Sequence, residues 1–521
     1  MFPPFGFRPW RTAPLRVPTD RVLPVHLLGD APDVRGIVMR WMVRFDDVLD
    51  AEKLHSALVK LLEMKTWRRL GGRLRLNQQG KLETHVPAVF DPTRPAARFS
   101  HVSFDMALAE HPIASQTPRP TNGPSVHAVD DAFRALSASA ASGKIPETLD
   151  DYLYSDEPPL ALQVLTFRDA TLLCMNCPHA MMDAVGSAAL VSAWCKVLAG
   201  REGEVLPLSA DDPIQSVSRI KDEGGDEGGD EVGGEEGQAV LKAKHLGGLG
   251  MFLFAVRFVL DMLFGPRMET RTIFLPARSV KALQREAAHD LELLQQGQQI
   301  DTTGRQGTPF VSEGDVLSAW STQLIARSLG ARSTRTLAAM TVFELQSRLA
   351  AFDVRRAAYV QNAFCVATTV LAGDDARGLP LGRLALRLRA SLQQQTTPAQ
   401  VRAALCDLVA ALARTGHPPV AAEPDSLPVP ISNLTKARFF DVVDLGPAVV
   451  GGGGGGGGDM GRSVPPGKPV FLQGYSSSAR RNPLLRNVVQ ILGKDLEGNY
   501  WITGILSPGT WAEVHEELEG L

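Results

Sequence analysis

The acidic, glycine-rich run KDEGGDEGGDEVGGEEGQ, Lys221–Gln238, interrupts this chain of 521 residues near its middle. A segment of this composition has too few apolar side chains to pack into a core, because charges and glycines favour solvation. A chain of this length normally folds around two separate cores. The run therefore predicts a solvated crossover between two domains. We place an N-terminal domain at 1–220, a crossover with an apolar helix at 221–268, and a C-terminal domain at 269–521.

The composition excludes several classes of protein. Hydrophobic residues make up 44% and charged residues 21% of the chain, which is typical of a globular protein. The formal net charge is -3, and the lysines and arginines are scattered, so no nucleic-acid surface is indicated. Cys174 and Cys177 form a CxxC motif, but no second pair exists among the remaining Cys195, Cys365 and Cys406. We therefore expect no zinc site and no disulfide framework, but reduced thiols in a cytoplasmic protein.

Two apolar stretches require inspection for membrane or export signals. The first, Met1–Asp20, has prolines where a signal peptide needs its apolar segment. The second, Leu246–Pro266, contains Arg257 and Asp261, and each such charge costs a few kcal/mol inside a bilayer. This stretch predicts a buried or surface-lying helix and no membrane span.

Hydrophobic spacing predicts a mixed α/β fold. A helix is expected after Asp50, a candidate N-cap, and another after Ser312, which forms a capping box with Asp315. The first helix carries one apolar stripe, formed by Leu54, Leu58, Leu61 and Leu62. Four strands are expected at 159–167, 171–177, 362–371 and 498–506. Long loops or linkers are expected at 111–150 and at the polyglycine 451–458.

Four histidines are followed by an aspartate at the fourth position, so this spacing alone does not identify a site. His26 precedes a turn, His101 lies in a short strand-like piece, and His127 lies in a loop rich in proline, serine and alanine. We interpret these three as surface or loop residues.

His179 differs in its context. A strand is expected to end at Cys177, Pro178 to interrupt its pairing, and a helix to begin at about Asp183. A strand end followed by a sharp turn and a helix N-terminus holds a side chain rigidly at a sheet edge. The positive end of the helix dipole also favours a neutral imidazole, the form that a base requires. A hydrogen-bonded core histidine is an equally acceptable interpretation of the pattern.

Other motifs restrict the chemistry. No GxSxG elbow is present, the glycine-rich 456–463 lacks the lysine of a phosphate loop, and no histidine–glutamate cluster has metal-binding spacing. A base without nucleophile, metal or cofactor suits direct acyl transfer between two bound substrates.

The segment HAMMDAVG, His179–Gly186, resembles the HxxxD(G) motif of the BAHD acyltransferases, in particular their fungal trichothecene 3-O-acetyltransferase branch. The resemblance extends to 61–88, where a helix leads into a GRL strand, and to 159–194. Residues 431–450 resemble the region of the family motif DFGWG, reduced here to Asp444-Leu445-Gly446. Pro447 and Ala448 replace the end of that motif.

The resemblance implies two chloramphenicol-acetyltransferase-like α/β domains, each a mixed sheet flanked by helices, with the active site in the channel between them. It implies His179 as general base, Asp183 as an orienting residue held by a salt bridge, and Asp444 as a residue that fixes the domain arrangement or is catalytic. It also implies acyl-CoA, such as acetyl-CoA, as co-substrate with no permanently bound cofactor. The acceptor would be a hydroxyl of a fungal secondary metabolite, and the enzyme a monomer.

The tetrahedral intermediate of such a transfer needs hydrogen-bond donors for its oxyanion. Ser432, Asn433 and Thr435 are the candidate substrate-binding residues, because they lie in the segment that resembles the second motif region.

Two alternatives remain at this stage. A condensation-domain-like enzyme would form an amide or ester from a carrier-bound acyl group, but such domains usually have a second histidine where Pro178 stands. A non-catalytic binding protein could share the fold, and the intact pair of His179 and Asp183 argues against it.

Deleting Asp222 to Gly237 should leave the melting temperature and the activity close to those of the unaltered chain, because this segment has nothing to pack. A deletion of equal length at 185–200, inside an expected packed helix, serves as the control and should prevent folding. A clear fall in melting temperature after the first deletion would contradict our interpretation of the run.

Overall fold

The computed structural model describes residues 11–128, 134–137, 145–217, 240–297, 309–451, 464–476 and 485–521. The whole acidic run, most of the polyglycine and the first ten residues lie outside the described residues. The mixed α/β class predicted from the sequence is confirmed, with three sheets and flanking helices in the described part of the chain.

The strands are β1 Arg21–Pro24, β2 Val38–Phe45, β3 Arg73–Leu76, β4 Leu82–Val86, β5 Arg98–Ser103, β6 Ser125–His127, β7 Ala161–Thr166, β8 Thr171–Pro178, β9 Glu269–Leu275, β10 Leu337–Glu344, β11 Phe364–Leu371, β12 Leu427–Asn433, β13 Phe471–Ser476, β14 Val488–Lys494 and β15 Tyr500–Leu506. The α-helices are α1 Pro32–Arg35, α2 Ala51–Glu63, α3 Leu149–Leu153, α4 Ala184–Leu198, α5 Gly248–Phe264, α6 Ala277–Gly297, α7 Glu313–Ser328, α8 Gly373–Gly378, α9 Leu381–Gln395, α10 Pro398–Thr415, α11 Phe439–Val442 and α12 Pro508–Glu519.

Two large mixed sheets organise the chain. The five-stranded sheet has the order β13-β2-β8-β7-β5, and the seven-stranded sheet has the order β11-β10-β12-β14-β15-β9-β6. A small antiparallel sheet, β1-β4-β3, lies beside them. In the seven-stranded sheet, β12 is parallel to both of its neighbours, and its pairing with β14 covers only Ile431 to Asn433.

Each large sheet takes one strand from the other half of the chain. β13, from the C-terminal half, pairs with β2 along the edge of the five-stranded sheet. β6, from the N-terminal half, pairs with β9 at the edge of the seven-stranded sheet. The expectation that 111–150 is only a long loop is therefore wrong at β6, because pairing with a distant strand overrides its loop-like composition. The division at 1–220, 221–268 and 269–521 stays a prediction.

The core of the five-stranded sheet confirms the helix expected after Asp50. The Asp50 side chain accepts a hydrogen bond from the Lys53 N–H and caps α2. The four leucines of the predicted stripe are all buried. They pack in the same apolar core as β8 and α4, whose small residues permit close contact. The strand β8 continues one residue beyond the expected end, because Pro178 still aligns with Val38 at the end of the ladder.

The seven-stranded sheet has its own apolar core. It is covered by α6, α7, α9 and α12, with Trp320 and Trp511 among its buried side chains. The predicted capping box is confirmed, since the Ser312 side chain and the Asp315 side chain each bond to the other's backbone N–H at the start of α7. The remaining expected strands appear as β11 and β15.

The apolar stretch after the acidic run forms α5, which confirms the expected surface-lying helix. None of its side chains is buried. Among the described residues, no helix meets the length and hydropathy that crossing a membrane requires.

His26 is buried, and its interpretation as a surface residue is wrong. The ring is 4% exposed, its Nε2 faces Arg69 Nη1 at 3.3 Å, and its Nδ1 lies 2.9 Å from the Tyr359 hydroxyl. Arginine can only donate, so Nε2 accepts and Nδ1 carries the proton. Burial lowers the pKa of His26 to about 4, with Arg69 acting in the same direction and Asp212 opposing it. No local sequence pattern predicts this burial, because both ring partners, Arg69 and Tyr359, are distant in the chain.

This lowered pKa makes the stability of the fold depend on pH. The unfolded chain gains a proton on His26 as the pH falls through about 6.5, whereas the folded chain gains it only near 4. The contribution of the neutral His26 ring to the free energy of unfolding is therefore fully present above pH 6.5. It is lost as the pH falls from 6.5 to 4, and the loss is about 3 kcal/mol at most. We expect His26→Gln to be less stable than the unaltered chain at neutral pH, and the difference in unfolding free energy to narrow toward pH 4.

His101→Gln is the matched control, because His101 is exposed on β5. Urea unfolding across this pH range measures both variants. A difference between His26→Gln and the unaltered chain that stays constant with pH would refute the assignment of the neutral ring.

Candidate active site

The turn between β8 and α4 is held at its first residue, His179, by two hydrogen bonds to the His179 backbone. The His179 N–H donates to the Ile37 carbonyl at 2.8 Å, which fixes the turn to the segment before β2. The His179 carbonyl accepts a hydrogen bond from Asn362 Nδ2, also at 2.8 Å. The backbone of His179 is therefore fastened on one side to the N-terminal half and on the other to the segment that leads into β11.

Asp183 caps α4 and also joins the two halves of the chain. Its Oδ1 accepts a hydrogen bond from the Gly186 N–H at 2.8 Å, as expected of an N-cap. Its Oδ2 accepts one from the Ala363 N–H at 2.9 Å. Glycine at position 186 lets the segment that contains Val360 and Ala363 approach α4 closely. A Cβ at Gly186 would lie 1.8 Å from the Val360 carbonyl oxygen.

The salt bridge expected at Asp183 is replaced by these two backbone donors. The residue is 7% exposed, and each carboxylate oxygen already has an N–H partner. Burial raises the pKa of the Asp183 carboxyl, while the N–H groups of Gly186 and Ala363 act in the opposite direction. The expectation was wrong because a helix N-terminus and an extended segment can satisfy a carboxylate without a cation.

The His179 side chain lies at the edge of a cavity with one nitrogen closed off. Nδ1 is buried without a hydrogen-bond partner in the described part of the chain. The ring meets Phe364 edge to face, with 6.2 Å between centroids. The Asp183 carboxylate does not accept from this nitrogen, because its two oxygens face Gly186 and Ala363. The pair is thus a histidine beside a structural aspartate, with no hydrogen-bonded relay between them.

The cavity that His179 lines has a volume of about 740 Å³ and is bounded by both large sheets. One wall includes Met39 and Trp41 of β2, and the opposite wall includes residues of β10, β11, β12 and β14. Its volume falls within the range typical of small-molecule sites.

The three candidate oxyanion donors lie in the lining of the same cavity. Ser432 and Asn433 end strand β12, and Thr435 follows in a short turn. The Asn433 Oδ1 accepts hydrogen bonds from the Thr435 N–H at 3.1 Å and from its hydroxyl at 2.6 Å. The amide NH₂ of Asn433 is therefore the group that can donate a hydrogen bond. This NH₂ group points toward Gly314, where an added Cβ would lie 2.3 Å from Nδ2.

Asp444 does not line the cavity that contains His179 and the candidate oxyanion donors. Its side chain is 57% exposed, and it is absent from the lining residues of the cavity. Its Oδ1 accepts from the Gly446 N–H at 3.2 Å, and its Oδ2 pairs with Lys468 Nζ at 3.5 Å. Its own N–H donates to Cys195 Sγ of α4 at 3.4 Å. These contacts support the structural role considered for Asp444 and give no support to the catalytic one.

The cavity contains four acidic residues that the sequence analysis missed. Three of them lie beside cations, in the pairs Glu313–Lys494 at 3.0 Å, Asp315–Arg389 at 2.7 Å and Glu344–Lys436 at 2.9 Å. The fourth is Asp33 of α1, and burial raises the pKa of its carboxyl, although its own N–H and His179 oppose the shift. No local motif marks these residues, because only the tertiary fold brings α1, α7 and β10 to one cavity.

Metal and thiol chemistry find no support at this site. Within the described residues, no group of three or more histidine, cysteine or acidic side chains is arranged to hold a metal ion. All five cysteines are free thiols, and burial raises the pKa of Cys174 to about 12. A thiol with a raised pKa is a poor nucleophile.

Comparison with known proteins gives full-length relatives. No protein-family model matches the sequence. The chain is 36% identical to the O-acetyltransferase PaAT-2 of Phomopsis amygdali, over 97% of this chain and 99% of that protein. It is 33% identical to the acetyltransferase adrJ of Penicillium rubens, over 98% and 97% of the two chains. A further relative with 32% identity, over 97% of each chain, is named the transcriptional regulator calD of Penicillium decumbens.

Solved structures share the fold at lower identity. The crystal structure of F. sporotrichioides TRI101 complexed with coenzyme A and T-2 has a TM-score of 0.58 at 14% identity, covering 96% of this chain and 98% of that one. Vinorine synthase has a TM-score of 0.55 at 13% identity, covering 98% and 97%. These likenesses place the chain among two-domain, chloramphenicol-acetyltransferase-like folds, with a mixed sheet and flanking helices in each domain.

Asp183→Asn should lower both stability and activity, because the new NH₂ group would face one of two backbone donors and leave it unsatisfied. We expect a loss of about 1–3 kcal/mol in unfolding free energy. Asp50→Asn is the matched control, since asparagine caps a helix as well as aspartate does and Asp50 has no second donor of this kind. Chemical denaturation compares the two. Equal, small effects in both variants would show that the contact with Ala363 is not stabilising.

Proposed function

This chain belongs to the fungal acetyltransferases of the BAHD-type acyltransferase superfamily, and on that premise we propose that His179 acts as the general base of an acetyl transfer. The donor is acetyl-CoA, and the acceptor is a hydroxyl group of a secondary metabolite. The observation that carries the proposal is the position of His179, which is fixed through its backbone and faces a cavity bounded by both sheets.

The proposed step is a direct attack within a ternary complex. His179 takes the proton of the acceptor hydroxyl as the oxygen attacks the thioester carbonyl, and a tetrahedral intermediate forms. When this collapses, the carbon–sulfur bond breaks, the proton passes to the departing thiolate, and the products are an acetyl ester and free CoA. We assign the proton transfer to Nε2, because Nδ1 is buried away from the cavity. A positioned base of this kind contributes about 10²–10⁴-fold to the rate.

The negative oxygen of the intermediate needs donors near the base. Ser432 Oγ and Asn433 Nδ2 supply suitable groups from the end of β12, across the same cavity. Thr435 acts differently, because its hydroxyl and N–H already hold the Asn433 carbonyl oxygen and orient that side chain. We therefore assign Ser432 and Asn433 to the oxyanion and Thr435 to the positioning of Asn433.

The shared cavity supports a location for the proposed active site. Residues before the acidic run supply His179 and one wall, and residues after it supply the opposite wall. This supports an active site in the channel between two domains, at 1–220 and 269–521. One chain contributes both walls, which agrees with a monomeric enzyme.

The use of acetyl-CoA is supported by the relatives. PaAT-2 and adrJ are named acetyltransferases and match this chain over nearly its whole length, and TRI101 was solved with coenzyme A. Most of the acids that line the cavity are paired with cations, so they offer little repulsion to an anionic co-substrate. One relative, calD, is named a transcriptional regulator, so a non-catalytic role is the alternative function. Acetyl transfer in an activity assay would exclude that alternative.

His179→Ala should reduce acetyl transfer by about 10²–10⁴-fold while the protein stays folded. His101→Ala is the control, because His101 is exposed on β5 and contacts only Thr166 among the hydrogen bonds described. The assay incubates each purified variant with labelled acetyl-CoA and a metabolite extract of a producing fungus, and detects acetylated products by mass. Turnover by His179→Ala equal to that of the unaltered chain would exclude the general-base role.

A further inference from the structure

Helix α5 presents an apolar stripe to solvent. Seven of its side chains are between 41% and 81% exposed: Leu249, Phe252, Leu253, Val256, Leu260, Leu263 and Phe264. They recur at intervals of three and four residues, so they lie on one face of the helix. Scattered exposed leucines are ordinary in soluble proteins, but a contiguous stripe of this length marks a surface that meets an apolar environment.

The opposite face of α5 is fixed to the protein. Asp261 forms two hydrogen bonds with Arg335, at 3.1 Å and 2.6 Å. The Gly265 N–H donates to the Asp261 carbonyl and ends the helix, and Arg486 donates to the Pro266 carbonyl at 3.1 Å. The outward orientation of the stripe is therefore set by specific contacts.

Among the described residues, the exposed charges on α5 and next to its two ends include three cations. The one acid of the helix, Asp261, is turned inward and paired. Arg257 is exposed at the edge of the stripe, and Lys244 and Arg267 are exposed just before and just after the helix. An apolar face bordered by cations complements a lipid surface, where acyl chains lie beneath phosphate groups.

We propose that α5 docks on a lipid bilayer, lying parallel to it with its apolar stripe inserted at the level of the headgroups. With 17 residues the helix is about 25 Å long, shorter than the hydrocarbon thickness of about 30 Å. Its inner face is bound to the protein, so the helix lies on the membrane and does not span it. A second copy of the chain is a poorer occupant, because pairing two such faces would bring the arginines of both copies together.

The docked face lies beside the proposed active site. Arg486, which holds the end of α5, directly follows Leu485, a lining residue of the cavity that contains His179. Membrane docking thus places that cavity near the bilayer.

Vesicle flotation of the full chain tests the proposal, with phosphatidylcholine vesicles and with vesicles that also contain phosphatidylserine. We expect the unaltered chain to float with the vesicles. A variant with Leu249, Phe252, Leu263 and Phe264 all changed to serine should bind at least about a hundredfold more weakly, because it loses four apolar groups. Its melting temperature should be unchanged, since these side chains are exposed. The control variant carries Leu76→Ser, Val89→Ser and Leu206→Ser, exposed apolar positions elsewhere, and should float normally.

A second variant tests the part played by charge. Arg257→Gln should weaken binding to the phosphatidylserine vesicles by about fivefold and leave binding to pure phosphatidylcholine unchanged. Failure of the unaltered chain to float with either kind of vesicle would overturn the proposal. So would normal flotation of the four-serine variant, or a sedimentation experiment in which the same substitutions convert a dimer to monomers without affecting flotation.

Discussion

The two hydrogen bonds accepted by the Asp183 carboxylate are the constraint on which the rest of the site depends. One comes from Gly186, three residues away, and sets the start of α4. The other comes from Ala363, 180 residues away, and joins the five-stranded sheet to the seven-stranded sheet at the beginning of β11. Because both donors are buried, removing the carboxylate would leave two unsatisfied N–H groups at the junction of the sheets. Asp183 also lines the cavity between the sheets, so this junction forms part of the cavity wall.

The same junction holds the backbone of His179, the proposed base. Asn362, beside Ala363, holds the His179 carbonyl, and Gln361, one residue earlier, accepts a hydrogen bond from the His26 N–H. Consecutive residues of one segment thus contact the turn that carries His179 and the segment before α1. A buried polar network of this kind is costly if incomplete, and its members specify one arrangement of the two sheets. The position of His179 therefore depends on the junction between the sheets as well as on the turn itself.

The sequence predicted what is determined locally. The caps at Asp50 and Ser312, the strand–turn–helix around His179 and the surface position of α5 depend on residues close in the chain, and the structure confirms each. Contacts between distant segments could not be predicted. The pairing of β6 and β13 with strands of the opposite half, the burial of His26 against Tyr359, and the replacement of a salt bridge by the Ala363 N–H all depend on the tertiary fold. The assignment of Asp444 needed the same information, since its exposure is visible only in the assembled structure.

The hydrogen bonds of Asp183 give it a role different from the one we propose for His179. An aspartate that accepts the Nδ1 proton of a histidine would stabilise the imidazolium formed during catalysis. In this chain the carboxylate is committed to two backbone donors, and Nδ1 has no partner in the described part of the structure. In the mechanism that we propose, the imidazolium would therefore gain its stabilisation from charges and dipoles across the cavity. Asp33 lines the same cavity, and burial raises the pKa of its carboxyl, with His179 acting in the opposite direction. An ionised carboxyl at this position would favour a positive charge that develops on the proposed base, whereas the Asp183 carboxylate is already committed to two backbone donors.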